Sequence, residues 1–222
     1  MKHCEVFENI DSICQKFGIT NYTLNSDGKI DIQGDVDIRD KGLSKLPLKF
    51  GKVSGNFRCN GNKLINLEGA PIIVGGSFYC GYNKLTSLEG SPKQVGFDFI
   101  CSDNKLTTLE GSPIYVGGSF ICDWNELISL KGCTKEISLY FYCSYNQLFS
   151  LEGAPRIKNG YIKLDKNPIF EIYHLFPDYK AFMDSLDYGY LRGTSIIKFR
   201  FQEALEEFGI EIPNEIKGWT WI

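Results

Sequence analysis

The sequence predicts an α/β repeat protein: a curved solenoid with a parallel β-sheet on its concave side and a helical cap at each end. Three observations carry this. Cys59, Cys80, Cys101, Cys122 and Cys143 recur every 21 residues, with Ile38 beginning the series and Leu164 continuing it. An asparagine stands three residues after each of the cysteines and Leu164, at Asn62, Asn83, Asn104, Asn125, Asn146 and Asn167. At both ends the repeat dissolves and apolar residues take up helical spacing. Self-similarity at a fixed period of this size marks stacked supersecondary units.

Around each anchor the pattern extends in register. Two residues before it come Val36, Phe57, Phe78, Phe99, Phe120, Phe141 and Ile162. Side chains two apart on a strand share a face, so these residues and the anchors point together into a core. Five residues after come Leu43, Leu64, Leu85, Leu106, Leu127, Leu148 and Ile169; eight after come Leu46, Leu67, Leu88, Leu109, Leu130, Leu151 and Ile172. A Val or Ile recurs at 53, 74, 95, 116 and 137, and a Pro at 71, 92, 113 and 155. The asparagines sit where the chain leaves the strand, where a stacked side-chain amide satisfies backbone groups on both sides of the turn. No unit buries its own apolar face, so each depends on its neighbours.

The ends define three segments. Residues 1–35 form an N-terminal cap: a helix over 3–17, with Val6, Phe7, Ile10, Ile13, Cys14 and Phe17 at helical spacing and Gly18 as its stop, then a turn at 25–28 and a strand in "KIDIQGDVDI", so that a hairpin-like strand pair is expected beside the helix. Residues 36–172 are the repeats. Residues 173–222 form a helical cap, with short helices in "PIFEIYHLF" and "DYKAFMDSLDYG". A longer helix follows, with Thr194 or Ser195 as its N-cap and Gly209 as its stop. Trp219 and Trp221 are expected to fold back onto this cap.

The repeat Phe-x-Cys-x-x-Asn-x-Leu-x-x-Leu resembles the leucine-rich repeat, with Phe and Cys in place of the two strand leucines. Six consecutive units match in register. The short sub-type, with "NKLTSLEGSP" and "VGGSF", is similar to repeat proteins encoded by tailed bacteriophages. That resemblance implies a bacterial host protein as partner, bound and inhibited or redirected in the host cytoplasm. Short leucine-rich repeats also occur in secreted bacterial ubiquitin ligases, which carry a catalytic cysteine in a further domain. This chain has no cysteine after Cys143, so that reading is set aside.

Composition narrows the function. The net charge of −3 gives no cationic surplus for a polyanion, so nucleic acid is disfavoured as a partner. No apolar run reaches bilayer length, and Met1 to Gln15 lack the apolar stretch of a signal peptide; the expectation is a cytoplasmic chain without a membrane partner. Five of eight cysteines fall in one core column, which argues against a metal site or a disulfide framework. The two histidines, His3 and His174, stand in no nucleophile–base set, and no phosphate-cradling loop is present. No enzyme activity, cofactor or metal is expected.

The register also exposes a face. Tyr79, Tyr82, Ile100, Ile121, Trp124, Tyr140, Tyr142, Tyr145 and Tyr161 are expected to form an aromatic and apolar band on the concave surface, with Asp98, Asp103 and Asp123 among them. Seven strands make that surface about 30 Å long. Exposed Tyr and Trp are the composition of interface hot spots. Aromatics also stabilise strands, but these gather toward the later units, for which a stability ladder has no reason. The expected function is protein binding. A self-assembling, virion-associated structural role is the alternative, with nucleotide or small-ligand stacking behind it. The sequence leaves the oligomeric state open.

Overall fold

The computed structural model describes residues 2–186, 191–192 and 195–222, without the side chains of residues 2–9, 179 and 192. Among these residues the chain is an α/β protein with parallel strands in repeated units and few helices. Each unit contributes two short strands. The expected Phe-x pairs, Phe57–Arg58, Phe78–Tyr79, Phe99–Ile100, Phe120–Ile121 and Phe141–Tyr142, run in parallel register between Val36–Asp37 and Ile162–Lys163. They make a seven-stranded sheet.

A second sheet, of eight strands, goes beyond the single sheet expected. It is built on the Val/Ile column: Phe50–Val53, Ile73–Val74, Gln94–Val95, Tyr115–Val116, Glu136–Ile137 and Arg156–Ile157. Its first two strands, β1 (Tyr22–Leu24) and β2 (Ile30–Ile32), form an antiparallel hairpin; β2 then pairs in parallel with Phe50–Val53. In the Phe-x strands the first residue is buried, in the x-Val strands the second. Both sheets therefore turn one face to a shared core.

That core is a set of one-residue columns. Phe57, Phe78, Phe99, Phe120 and Phe141 are fully buried, with successive ring centroids 5.0–5.7 Å apart. The five repeat cysteines and Leu64, Leu85, Leu106, Leu127 and Leu148 are equally sealed. Burial pushes the thiols of Cys59, Cys80, Cys101, Cys122 and Cys143 upward. The thiolate is the reactive form. All five are expected to resist an aromatic disulfide reagent at pH 8 in the native protein and to react once urea unfolds it. Fast native reaction of these five would remove them from the core.

The asparagines tie the units together. Asn104 Oδ1 accepts the Leu85 N–H of the preceding unit at 2.9 Å, while Nδ2 donates to the carbonyls of Cys80 and Cys101 at 3.1 and 3.0 Å. Asn83, Asn125 and Asn146 repeat this pattern. Each cysteine carbonyl thus receives its own unit's amide and the next unit's. The glycine after the Leu-x-x-Leu segment is required sterically: Gly111 has φ +88°, and a Cβ there would lie 2.5 Å from the Leu88 carbonyl carbon.

Four helices flank the repeats among the described residues. At the N-terminus α1 (Lys2–Phe17) ends where expected, with the Ile19 N–H closing on the Cys14 carbonyl at 2.8 Å. Ile10, Cys14 and Phe17 pack against the core; the side chains of Val6 and Phe7 lie outside the described residues. After the repeats come α2 (Phe170–Tyr173), α3 (Tyr179–Ser185) and α4 (Lys198–Glu207).

The start of α4 corrects the sequence reading. Ser195 is not its N-cap but lies in strand Ser195–Ile196, which pairs with Leu191–Arg192 and with Thr220–Trp221. Thr194 lies outside the described residues. The helix stop is as expected: Gly209 has φ +67°, and the Ile210 N–H returns to Leu205. The terminal tryptophans fold back. Trp219 Nε1 donates to the Pro168 carbonyl and its ring meets Phe149, while Trp221 Nε1 donates to the Asn214 carbonyl.

Candidate protein-binding face

The residues expected to bind fall on the strands of the seven-stranded sheet, directly before them, and in the turns that follow them. Each Phe-x strand sends its second residue outward, because strand side chains alternate. Tyr79, Ile100, Ile121 and Tyr142 therefore stand side by side, half-buried, in one row. Arg58 precedes them, with its guanidinium 5.4 Å from the Tyr79 ring centroid and 2.8 Å from the Asp35 carboxylate. The Asn56 backbone N–H, and then Arg58, hold the Asp35 carboxyl down at about 2.

Asp98 belongs to the fold as much as to the face. It sits in a column with Asp35, Asn56, Ser77 and Ser119, each three residues before an anchor. Asp35 and Asn56 accept the backbone N–H of the next residue in the column at 2.8 Å, and Ser77 accepts that of Asp98 at 3.1 Å. Asp98 Oδ1 accepts from the Ser119 N–H at 2.8 Å. Asp123 has a similar local role, accepting the Ser144 N–H at 2.6 Å. It is half-buried, and that burial raises its carboxyl.

The short acceptors of the first column give way to tyrosine at Tyr140 and Tyr161. With Tyr142 these form a cluster with ring centroids 5.0–5.9 Å apart. The hydroxyls of Tyr142 and Tyr161 lie 3.3 Å apart. That hydrogen bond pushes the Tyr142 hydroxyl up to about 12.

The remaining site residues share a conformation that the sequence reading missed. Two residues after each anchor stand Asp40, Gly61, Tyr82, Asp103, Trp124, Tyr145 and Lys166, and all have φ between +54° and +68°. Glycine, Asn and Asp tolerate this left-handed backbone; bulky side chains occupy it at a cost of about 1 kcal/mol. Trp124 and Tyr145 are nonetheless here, stacked at 3.8 Å between centroids and 8° between planes, and both are exposed. Tyr82 is 66% exposed and meets no other ring among the described residues. Asp103, between Tyr82 and Trp124, is half-buried. The cue available in the sequence was the appearance of Gly61 and two aspartates in this column.

On and beside the strands of the second sheet stand exposed apolar residues that the reading passed over. Ile72, Phe97, Ile114, Tyr115 and Leu139 are 40–75% exposed. Tyr115 precedes Val116 on its strand, so the outward position beside each Val or Ile was the signal. A cavity of about 910 Å³ lies between α1 and the first units, lined by Ile10, Ile13, Lys45, Leu48 and Ile65 among others. Among the described residues, no group of three His, Cys, Asp or Glu is placed to hold a metal ion. None of the described helices is long and apolar enough to cross a membrane. Compared with family models, curated proteins and solved structures, the chain matches none.

Proposed function

We propose that the chain is a leucine-rich-repeat-like solenoid, curved toward the seven-stranded sheet and capped by α1 at one end and α2–α4 at the other. Its function in this reading is non-enzymatic recognition of a protein through the aromatic face. The observation that carries it is the occupancy of the left-handed column. Tyr82, Trp124 and Tyr145 share with Asp40, Gly61, Asp103 and Lys166 a left-handed backbone that Gly and Asp tolerate better than aromatic residues do. The Trp124–Tyr145 stack recovers about 0.5–1.5 kcal/mol, but Tyr82 has no such compensation. Side chains retained against local stability, and left exposed, are explained by contact with something else.

The setting follows from the resemblance of the repeat: a phage-encoded protein acting on a host protein in the bacterial cytoplasm. Head-to-tail self-assembly has one observation in its favour, the opposed charges of Asp37 and Lys163 at the two ends of the seven-stranded sheet. However, β1 extends the other sheet one strand further, into the place an in-register copy would need for its Arg156–Ile157 strand.

The test is capture from a bacterial lysate, read by mass spectrometry. Trp124→Ala with Tyr145→Ala is expected to abolish capture and to change stability by only about 1 kcal/mol, since both side chains are exposed. Undiminished capture by the folded double variant would remove this face from the function.

A further inference from the structure

Tyr82, Asp103 and Trp124 follow one another in a single column, one per unit, with φ of +54°, +56° and +57°. Their side chains therefore leave the backbone in parallel. The Trp124–Tyr145 stack shows that rings in this column lie face to face along it. Continued along the column, the same arrangement would turn the Trp124 face not covered by Tyr145 toward Asp103 and Tyr82. Two strand steps separate the Tyr82 and Trp124 backbones by about 10 Å. Two stacking distances of the size seen at Trp124 and Tyr145, 3.8 Å each, fit within that gap. Asp103, with its short side chain, stands between Tyr82 and Trp124 in the column. Among the described residues its carboxylate has no hydrogen-bond or ion-pair partner.

We infer that this notch receives a guanidinium group, so that the partner's binding segment presents an arginine between Tyr82 and Trp124 with its charge on Asp103. The inference rests on the binding role proposed for the face and adds the chemistry of what binds there. A planar cation satisfies all three side chains at once. Its two faces meet the rings, where cation–π attraction acts, and its edge N–H groups donate to the carboxylate. An ammonium offers charge without faces, so lysine is a poorer occupant. A neutral ring leaves Asp103 unpaired, and an anion is repelled by it.

The experiment is fluorescence anisotropy of a labelled peptide alternating glycine with four arginines, set against the same peptide with citrulline or lysine. The full chain is expected to bind the arginine peptide, to bind the lysine peptide several-fold more weakly, and to ignore the citrulline peptide. Asp103→Asn is expected to weaken arginine binding at least tenfold while leaving the circular dichroism melt intact, because asparagine suits a left-handed backbone. Trp124→Ala is expected to weaken it comparably. Glu152→Gln removes the same charge from an exposed loop position and is expected to change nothing. The inference is overturned by equal binding of Asp103→Asn and wild type, by equal losses in Asp103→Asn and Glu152→Gln, or by no binding of the arginine peptide. If Asp103→Asn is silent while Trp124→Ala with Tyr145→Ala still abolishes lysate capture, the face stands and the arginine notch falls. If the double variant also captures normally, both fall.

Discussion

Leu106→Asp is expected to unfold the centre of the protein. Leu106 has no exposed surface, and it stands in the column between Leu85 and Leu127. Removing the leucine side chain alone costs about 2–5 kcal/mol. A carboxylate put in its place has no cation to meet and either stays charged in an apolar core or takes up a proton, at a further cost of several kcal/mol. The sum rivals the whole stability of an ordinary domain, about 5–15 kcal/mol. Because each unit leans on its neighbours, the loss is felt by the units on both sides. The contrast is one residue away: Lys105→Asp and Thr107→Asp change exposed positions and are expected to shift the urea midpoint little. Equal tolerance at 105, 106 and 107 would refute the register of the repeat.

Asn104→Ala is expected to cost about 3–5 kcal/mol by a different route. It removes the acceptor of the Leu85 N–H and one of two donors to each of the Cys80 and Cys101 carbonyls. The carbonyls keep Asn83 and Asn125 as partners, but the Leu85 N–H is left buried without one. An orphaned buried donor costs about 1–3 kcal/mol, and each lost hydrogen bond about 1 kcal/mol more. Asn66→Ala is the matched comparison, since among the described residues exposed Asn66 serves only the Glu68 N–H; its expected cost is below about 1 kcal/mol. The measurement is the urea midpoint of the two variants, and similar midpoints would show that the asparagine column does not join the units.

What could be read from the sequence was whatever recurs with the same side-chain chemistry. The Phe, Cys, Asn and Leu columns are each locked by one environment, and their spacing gave strand positions, core and turn ladder together. The second sheet was hidden because its strands are about two residues long and their outward residues, Ile73, Gln94, Tyr115 and Glu136, share nothing. Two residues are too few for alternation to show. The left-handed column was hidden for a related reason: a backbone state common to Gly61, Tyr82, Asp103 and Lys166 leaves no single residue type behind. Asp98 was read only as part of the binding face because its acceptor role depends on a backbone N–H 21 residues away. At the start of α4, Ser195 has the local chemistry of an N-cap. Pairing with Thr220–Trp221, distant in sequence, draws it into a strand instead.

The central proposal is that one sheet face, and not the other, meets the partner. Photo-crosslinking from single positions tests this most directly. A benzophenone amino acid at Tyr82, 66% exposed on the aromatic face, is expected to crosslink the captured protein in a bacterial lysate. The same group at Tyr115, 54% exposed on the opposite sheet, is expected to give no crosslink. A crosslink from position 115 with none from position 82 would contradict the proposal and move the binding surface to the eight-stranded sheet.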